Sequence, residues 1–531
     1  MTVSGPGAGG RQAAQVAAGI FLTRVLGYVR ELLFAHYLGN DWAADAFRVA
    51  LRIPNTIRNL LGEGTLAGSF IPVYAAFNER PDKGEAKALA GAVLGLLLLA
   101  ASALALIGIA AAPALVTVFG AGLQGQSRVL AVALMRVLFP MSGLMVISAW
   151  CLGVLNTHRK FFLSYAAQSL WNVAGIAALV AGATWLVSPT LPLPERLSRL
   201  SYALAWGTVA GAVLQVGVQL PACRRALGGL AVRFSWRTSG VRDVVVAWLP
   251  LLIGAGVAQF SGLIDTLLGT LAGEGGASSL GYAQLLQVLP ISLFGASVAQ
   301  ASLPELSRDA IGTGGGAGAN EQLRARIAVG FRRIAFFVLP SAFLFAALGP
   351  VVVAALFQTG RFAHSDSVLV GGVIAAYGVG LLGQATVKLF ASGFYALRDT
   401  RTPVKIAAFS LAVGSGLGWL LLRWFGPAGI ALGSSVGGTL STVLHLRDLD
   451  RRIGAVLGPQ HWRAVGAAVA GAGAAALAGL AAAGLGAGLA PVPRALAAVG
   501  IFGTVYAAIT AALRHPDALR TWQSLTSWRA S

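Results

Sequence analysis

The stretches TRVLGYVRELLFAHYLG (residues 23–39) and DAFRVALRIPNTIRNLLGEGTLAGSFIPVY (residues 45–74) have the length and apolarity of membrane helices, yet both carry charge along their length. Within residues 12–38 and 43–76 stand five arginines, Arg24, Arg30, Arg48, Arg52 and Arg58, and three carboxylates, Glu31, Asp45 and Glu63. An ionised side chain near the bilayer centre costs from about 3 to over 10 kcal/mol, so a cluster of this size is not expected to face acyl chains. It is expected to line a wet cavity, and its net charge of +2 would suit a dianion. Asp45, Arg48, Arg52 and Asn55 recur at three- and four-residue intervals and so share a helix face; Arg24 and Glu31 lie two turns apart on another. Pro54, between Arg52 and Asn55, is expected to kink its helix, which is tolerated where backbone lines a cavity.

Composition places the rest of the chain in the same class. It is 56% hydrophobic and 11% charged, with a mean hydropathy of +0.75, where soluble domains carry roughly 25% charged residues. The chain is expected to be an all-α integral membrane protein. Hydrophobic runs predict fourteen helices near 12–38, 43–76, 88–119, 129–156, 161–188, 200–222, 243–272, 278–307, 334–357, 366–397, 403–422, 427–445, 464–490 and 495–513. The polar, glycine-rich first ten residues lead straight into a long charged helix, so no cleavable signal peptide is expected.

The formal charge of +20 invites a nucleic-acid reading, which the distribution of the charge excludes. The even-numbered connections and the C-terminal tail hold 25 Lys and Arg, whereas the odd-numbered ones hold six. Basic residues accumulate in cytoplasmic loops, which puts both termini inside. Cys151 and Cys223 fall in unlike surroundings, with no expected disulfide and no metal-binding spacing; both read as structural. The six histidines form no HExxH or triad pattern, and no nucleotide-binding motif is placed to work, so neither an enzyme nor an ATP-driven pump is expected.

The chain also repeats itself. SFIPVYAAFNE at 69–79 resembles ASLPELSRDA at 301–310, LVTVFGAG at 115 resembles VVAALFQTG at 352, and VLNTHRKFF at 154 resembles FYALRDTRTP at 394. Two six-helix halves in the same orientation, followed by two extra helices, is a plan of transporters that rock around a midplane site. The expected divisions are 1–239, 240–457 and 458–531. Gly312 to Gly318 falls inside the second half as a flexible connection.

The two opening stretches, with GVLNTHRKFF (153–162), LFQTGRF (356–362) and VKLFASGFYALRDTRTPVKIA (387–407), resemble the MurJ (MviN) lipid II flippases of bacteria over helices one to twelve. The resemblance implies the fold of the multidrug/oligosaccharidyl-lipid/polysaccharide exporters: two six-helix lobes in a V around a central cationic cavity, with the last two helices forming a groove for a lipid tail. It implies movement of lipid II, an undecaprenyl-diphosphate-linked disaccharide-pentapeptide, from the inner to the outer leaflet of the cytoplasmic membrane by alternating access, in a monomer with no cofactor. Carried over by position, Arg24, Arg30, Arg52, Arg58 and Lys388 would bind the substrate, and Glu31, Asp45 and Glu63 would gate or pair with the arginines. Guanidinium groups suit a diphosphate because they present planar, bidentate donors and stay charged.

This chain departs from the family at two places. Leu285 stands where members commonly have an arginine in the eighth helix, and Arg48 stands where they have an apolar residue. Arg48 either replaces the lost cavity charge or merely pairs with Asp45 or snorkels. Asp265 in the seventh helix is a candidate cation ligand, Arg136 in the fourth has no evident partner, and the Gly/Ala-rich stretch Gly466 to Gly488 reads as close helix packing. A cation-coupled small-molecule exporter on the same scaffold is the alternative function, but it favours acidic and aromatic cavity residues over a net basic set. A non-transporting membrane scaffold would need no intramembrane charge at all.

Overall fold

The computed structural model describes residues 6–299 and 317–521, and among them there is no strand. The helices of the first part are α1 (Pro6–Leu38), α2 (Trp42–Leu61), α3 (Glu63–Asn78), α4 (Lys83–Phe119), α5 (Gly125–Thr157), α6 (Phe161–Ala166), α7 (Ser169–Ala181, continued by a π-turn Gly182–Leu186), α8 (Leu193–Ala226) and α9 (Val241–Leu271). The second part holds α10 (Gly276–Pro290, continued by a π-turn Ile291–Ala296), α11 (Ala317–Phe357), α12 (His364–Val379), α13 (Leu381–Ala396), α14 (Arg401–Phe425), α15 (Pro427–Ile453), α16 (Pro459–Leu485) and α17 (Pro491–Ala512). Helices dominate because backbone N–H and C=O groups have no other partner in hydrocarbon. Asp41 and Asp82 start α2 and α4 by accepting the amides of Trp42 and Gly84, each at 2.7 Å.

Each stretch expected to be a span is helical over most of its described length. Eleven helices among the described residues are long and apolar enough to cross a membrane, and the pair α12 and α13, bent by 42°, makes a twelfth. Helix α1 falls outside that set because Arg24, Arg30 and Glu31 interrupt its apolar run; α15 falls outside because it is rich in glycine and serine. The second span is interrupted at Gly62 and not at Pro54, which lies inside continuous helix. A side chain at Gly62 would meet the Arg58 carbonyl at 2.3 Å.

Two of the three sequence repeats reappear as matching helix ends. Helices α4 and α11 end at Phe119 and Phe357, and α5 and α13 end at Thr157 and Ala396, in turns closed by the same pattern of backbone hydrogen bonds. The third repeat's partner at 301–310, and the glycine-rich stretch up to residue 316, lie outside the described residues.

The chain divides into two compact units, Met1–Gly275 and Gly276–Ser531. Helix α9, expected to open the second lobe at residue 240, packs within the first unit. Val241 and Val244 join a hydrophobic cluster with Phe77 and Leu89, Gln259 accepts from Asn59 at 3.2 Å, and the Thr270 hydroxyl accepts from the Gly122 amide at 3.2 Å. Elsewhere in this unit a buried polar relay joins α5 to α6 and α8. Gln215 donates to Ser148, Ser148 donates to Gln219, and Gln219 donates to the Ser164 carbonyl. Cys151 and Cys223, which the sequence does not bring together, are buried neighbours with free thiols; Cys223 Sγ lies 3.6 Å from the Cys151 carbonyl oxygen.

In the second unit the alanine-rich face of α16 packs on α11 and α17, in a cluster with Leu348, Phe336, Phe502 and Tyr506, as its composition suggested. The segment after α17 is fastened by Asp517, 4% exposed, which accepts from Arg332 Nε at 2.8 Å. A close approach joins α14 and α15, where Gly414 and Gly418 face Gly433 and Gly437. A side chain at Gly433 would meet Gly418 N at 2.3 Å, so the backbones touch as in small-residue membrane crossings. Gly433→Val is therefore expected to destabilise the protein by about 3 kcal/mol through overpacking against rigid backbone. The check is thermal or denaturant unfolding in detergent, with Gly416→Val as control, because nothing lies within 4 Å of a side chain built there.

Candidate functional site

Arg30, Glu31, Arg48 and Arg58 of the two opening stretches are gathered within the first unit by α1, α2 and α7. Glu31, 8% exposed, is their centre: its Oε1 accepts from Arg30 Nη2 at 2.9 Å and its Oε2 from Arg48 Nη2 at 2.6 Å. One carboxylate thus holds a guanidinium from α1 and another from α2. Such sharing reduces the penalty of burying either cation but leaves the group net positive.

Aromatic rings complete the support. The Arg30 guanidinium lies 4.5 Å from the centre of the Trp171 ring, Arg58 lies 5.3 Å from the same ring, and Arg48 lies 4.7 Å from the Phe34 ring. Cation–π contact of this kind is worth about 0.5–2 kcal/mol and engages the face of a guanidinium, leaving hydrogen bonding to its in-plane N–H groups. Helix α7 is built to receive the arginines. One turn after Trp171, Gly175 leaves room for the Arg30 stem, since a side chain there would lie 3.3 Å from Arg30 Cδ. Asn172, between them, donates to the Thr23 carbonyl of α1 at 3.2 Å. Trp171, Phe34 and Gly175 escaped sequence reasoning because each is ordinary in an apolar helix; the W-x-x-x-G spacing was the available signal.

Residues expected to share one face of α2 do so, but reach different partners. Arg58 donates to Asn55 Oδ1 at 3.2 Å. Arg52 lies across α9 at Gly262, where a side chain would sit 1.2 Å from its Nη2. Asp45, 1% exposed, accepts the Gly275 amide at 2.7 Å and so ties the start of α2 to the turn after α9. Arg48 pairs with Glu31, a partner that sequence spacing did not suggest.

The remaining candidates take the following places. Arg24 is exposed on α1, and Asp265 is half-buried on α9, in the first unit. Lys388 is exposed on α13 and Leu285 half-buried on α10, both in the second unit. Arg136 is exposed on α5. The Glu63 side chain lies outside the described residues. Among the described residues no cluster of His, Cys, Asp and Glu is placed to hold a metal.

Breaking the shared carboxylate tests the centre of the site. Glu31→Gln leaves Arg30 and Arg48 with no anion between them and is expected to destabilise the protein by about 3 kcal/mol. Combined with Arg48→Ala the losses are expected to be less than additive by about 1 kcal/mol or more, measured as a double-mutant cycle in denaturant.

The lipid II flippase MurJ family matches residues 34–490. The lipid II flippase MurJ of Burkholderia cenocepacia is 35% identical over 437 residues, covering 81% of this chain and 82% of that protein. A probable lipid II flippase MurJ of Haemophilus influenzae is 31% identical over 442 residues, covering 81% and 84%. Among solved structures, an inward closed lipid II flippase MurJ superposes with a TM-score of 0.76 at 20% identity, over 95% of this chain and 99% of that one. An inward-facing multidrug resistance MATE transporter of the MOP superfamily gives 0.64 at 17% identity, over 82% and 95%. The fold is therefore that of the MOP exporters, and by the extent of its sequence match this chain belongs to the MurJ lipid II flippase family.

Proposed function

We propose that this protein moves lipid II, the lipid-linked precursor of peptidoglycan, from the inner to the outer leaflet of the bacterial cytoplasmic membrane, as a transporter and not an enzyme. The observation that carries the reading is the group of Arg30, Arg48 and Arg58 around Glu31 and the Trp171 ring, within a chain that spans most of the length of its flippase relatives. A diphosphate is too strongly hydrated to enter hydrocarbon alone. Planar guanidinium donors replace its water, each charge-assisted contact contributing about 1.5–3 kcal/mol.

On this reading the chain makes fourteen crossings with both termini in the cytoplasm, arranged as two six-helix lobes (residues 1–239 and 240–457) and a final helix pair that guides the prenyl tail. Arg24, Arg30, Arg52 and Arg58 take the headgroup, with Lys388 as a point charge from the second lobe. Glu31, Asp45 and Glu63 hold the arginines or the gate. Arg48 supplies the charge that Leu285 leaves out, standing beside Arg30 on the carboxylate that both share. Transport proceeds by alternating access in a monomer: the cavity takes the diphosphate from the inner side, closes, and opens outward. A cation-coupled exporter is disfavoured because the charge gathered here is net positive.

The test is depletion of the native flippase in a bacterium carrying this chain, with lipid II exposed on the outer leaflet as readout. Arg30→Ala and Arg58→Ala are each expected to lower exposure about tenfold or more, given the strength of one charged contact, whereas Lys replacements keep part of it. Arg48→Ala is expected to lower it as well; unchanged flipping would remove the compensating role. Gly262→Ala is expected to leave melting nearly unchanged, because the atom it meets is the movable end of Arg52, but to reduce flipping by displacing that guanidinium.

A further inference from the structure

We propose that Arg159, Arg398 and Arg514 are held outward as phosphate contacts that seat the protein on acidic phospholipid headgroups. Among the described residues these are the non-glycine residues with positive φ, at 57°, 59° and 53°. Each occupies the same place in the same helix-ending turn, after α5, α13 and α17. The arginine amide donates three residues back, to Asn156, Tyr395 and Ala511, at 3.0, 3.0 and 2.9 Å. The next amide donates five residues back, Lys160 to Leu155, Asp399 to Phe394 and His515 to Thr510, at 2.8, 2.9 and 2.9 Å.

That closure forces the left-handed region, where a β-carbon is strained and glycine is the usual occupant. The chain uses glycine at the equivalent turn after α8, where Gly228 has φ of 62° and makes the same two bonds, to Arg225 and from Gly229 to Arg224. At three other ends it keeps arginine despite the strain. The side chains are not used inside the protein: all three are exposed, and among the described residues they make no ion pair, ring contact or side-chain hydrogen bond. Selection of a long cation at a strained, exposed helix end points to a partner beyond the chain.

Position and surroundings identify that partner. The three turns fall in the fourth and tenth connections and at the start of the C-terminal tail, all on the side that the Lys and Arg distribution assigns to the cytoplasm. Each has a large exposed apolar or aromatic side chain within three residues: Phe162, Tyr395 and Leu513, at 52, 48 and 51% exposure. An apolar side chain beside an unpaired guanidinium matches the boundary between acyl chains and phosphates, and the cytoplasmic leaflet is the anionic one. Left-handed backbone fixes where each arginine leaves its helix, so the contact needs less ordering than one from a flexible loop.

The experiment uses the full chain in vesicles of phosphatidylcholine alone and of equal parts phosphatidylcholine and phosphatidylglycerol, comparing the parent with the triple variant Arg159→Gly, Arg398→Gly and Arg514→Gly. Glycine relieves the backbone while removing the charge, so in phosphatidylcholine the variant is expected to melt at or above the parent. Phosphatidylglycerol is expected to raise the parent's melting temperature by a few degrees, with at least half of that rise lost in the variant and retained when all three are Lys. A full rise in the glycine variant, or a variant that melts below the parent in phosphatidylcholine, overturns the proposal. So does inorganic pyrophosphate if, in neutral vesicles, it gives the parent the same rise and at least half of that rise is lost in the glycine variant, because the three arginines would then bind soluble phosphate.

Discussion

A carboxylate shared by two guanidiniums is the interaction on which the first unit's charged interior depends. Without Glu31, Arg30 and Arg48 would bring two like charges into a half-buried space, and neither could be held there without a large desolvation penalty. With it, the pair keeps one net positive charge and a fixed geometry. The rings of Trp171 and Phe34 add support that does not neutralise anything, since cation–π contact stabilises a guanidinium without consuming its N–H donors. A site meant to exchange water for phosphate needs both properties: cations held firmly, and donors not already used up.

The same economy of space governs the backbone. Gly262 lets Arg52 lie flat across α9, Gly175 admits the stem of Arg30, and the facing glycines of α14 and α15 bring two helices into main-chain contact. In lipid, helices gain little from burying apolar surface against one another, so close approach and van der Waals contact take the place of the hydrophobic effect. Glycine is in these places a spacer, and its use there makes the left-handed arginines stand out: where the chain needs only room or conformational freedom it uses glycine, and at Arg159, Arg398 and Arg514 it does not.

Much of this was legible in the sequence because membrane helices are read from apolar length, and the bilayer enforces that length. The helical stretches, the charged pair at the start and the small-residue packing of α16 all follow from composition and period. What was not legible depends on which helices touch. Spacing along α2 shows that Asp45 and Arg48 share a face, but not that α1 presents Glu31 to Arg48 or that the turn after α9 presents the Gly275 amide to Asp45. Trp171 was invisible for the same reason. The interruption at Gly62 was missed because proline announces itself in a sequence, whereas a glycine break depends on local backbone crowding.

Helix α9 is the element where repeat and packing disagree. Counted by the internal repeat it opens the second half, yet its contacts are with α2, α3 and α4. Those contacts include an arginine over a glycine at Gly262, one amide pair between Asn59 and Gln259, and a hydroxyl-to-amide bond at Thr270, with apolar burial at Val241 and Val244 near its first turn and at Leu263 and Leu268 towards its end. Its attachment between those two ends includes polar groups, Gln259 and the surface at Gly262 beside Arg52, whose hydrogen bonds water or substrate can also satisfy. Hydrogen bonds exchanged for others of similar strength contribute only about 1 kcal/mol net, whereas an interlocked apolar seam does not exchange. In the proposed cycle a helix fastened in this way can release Arg52 to a diphosphate and take it back while the apolar contacts at Val241, Val244, Leu263 and Leu268 hold it in place.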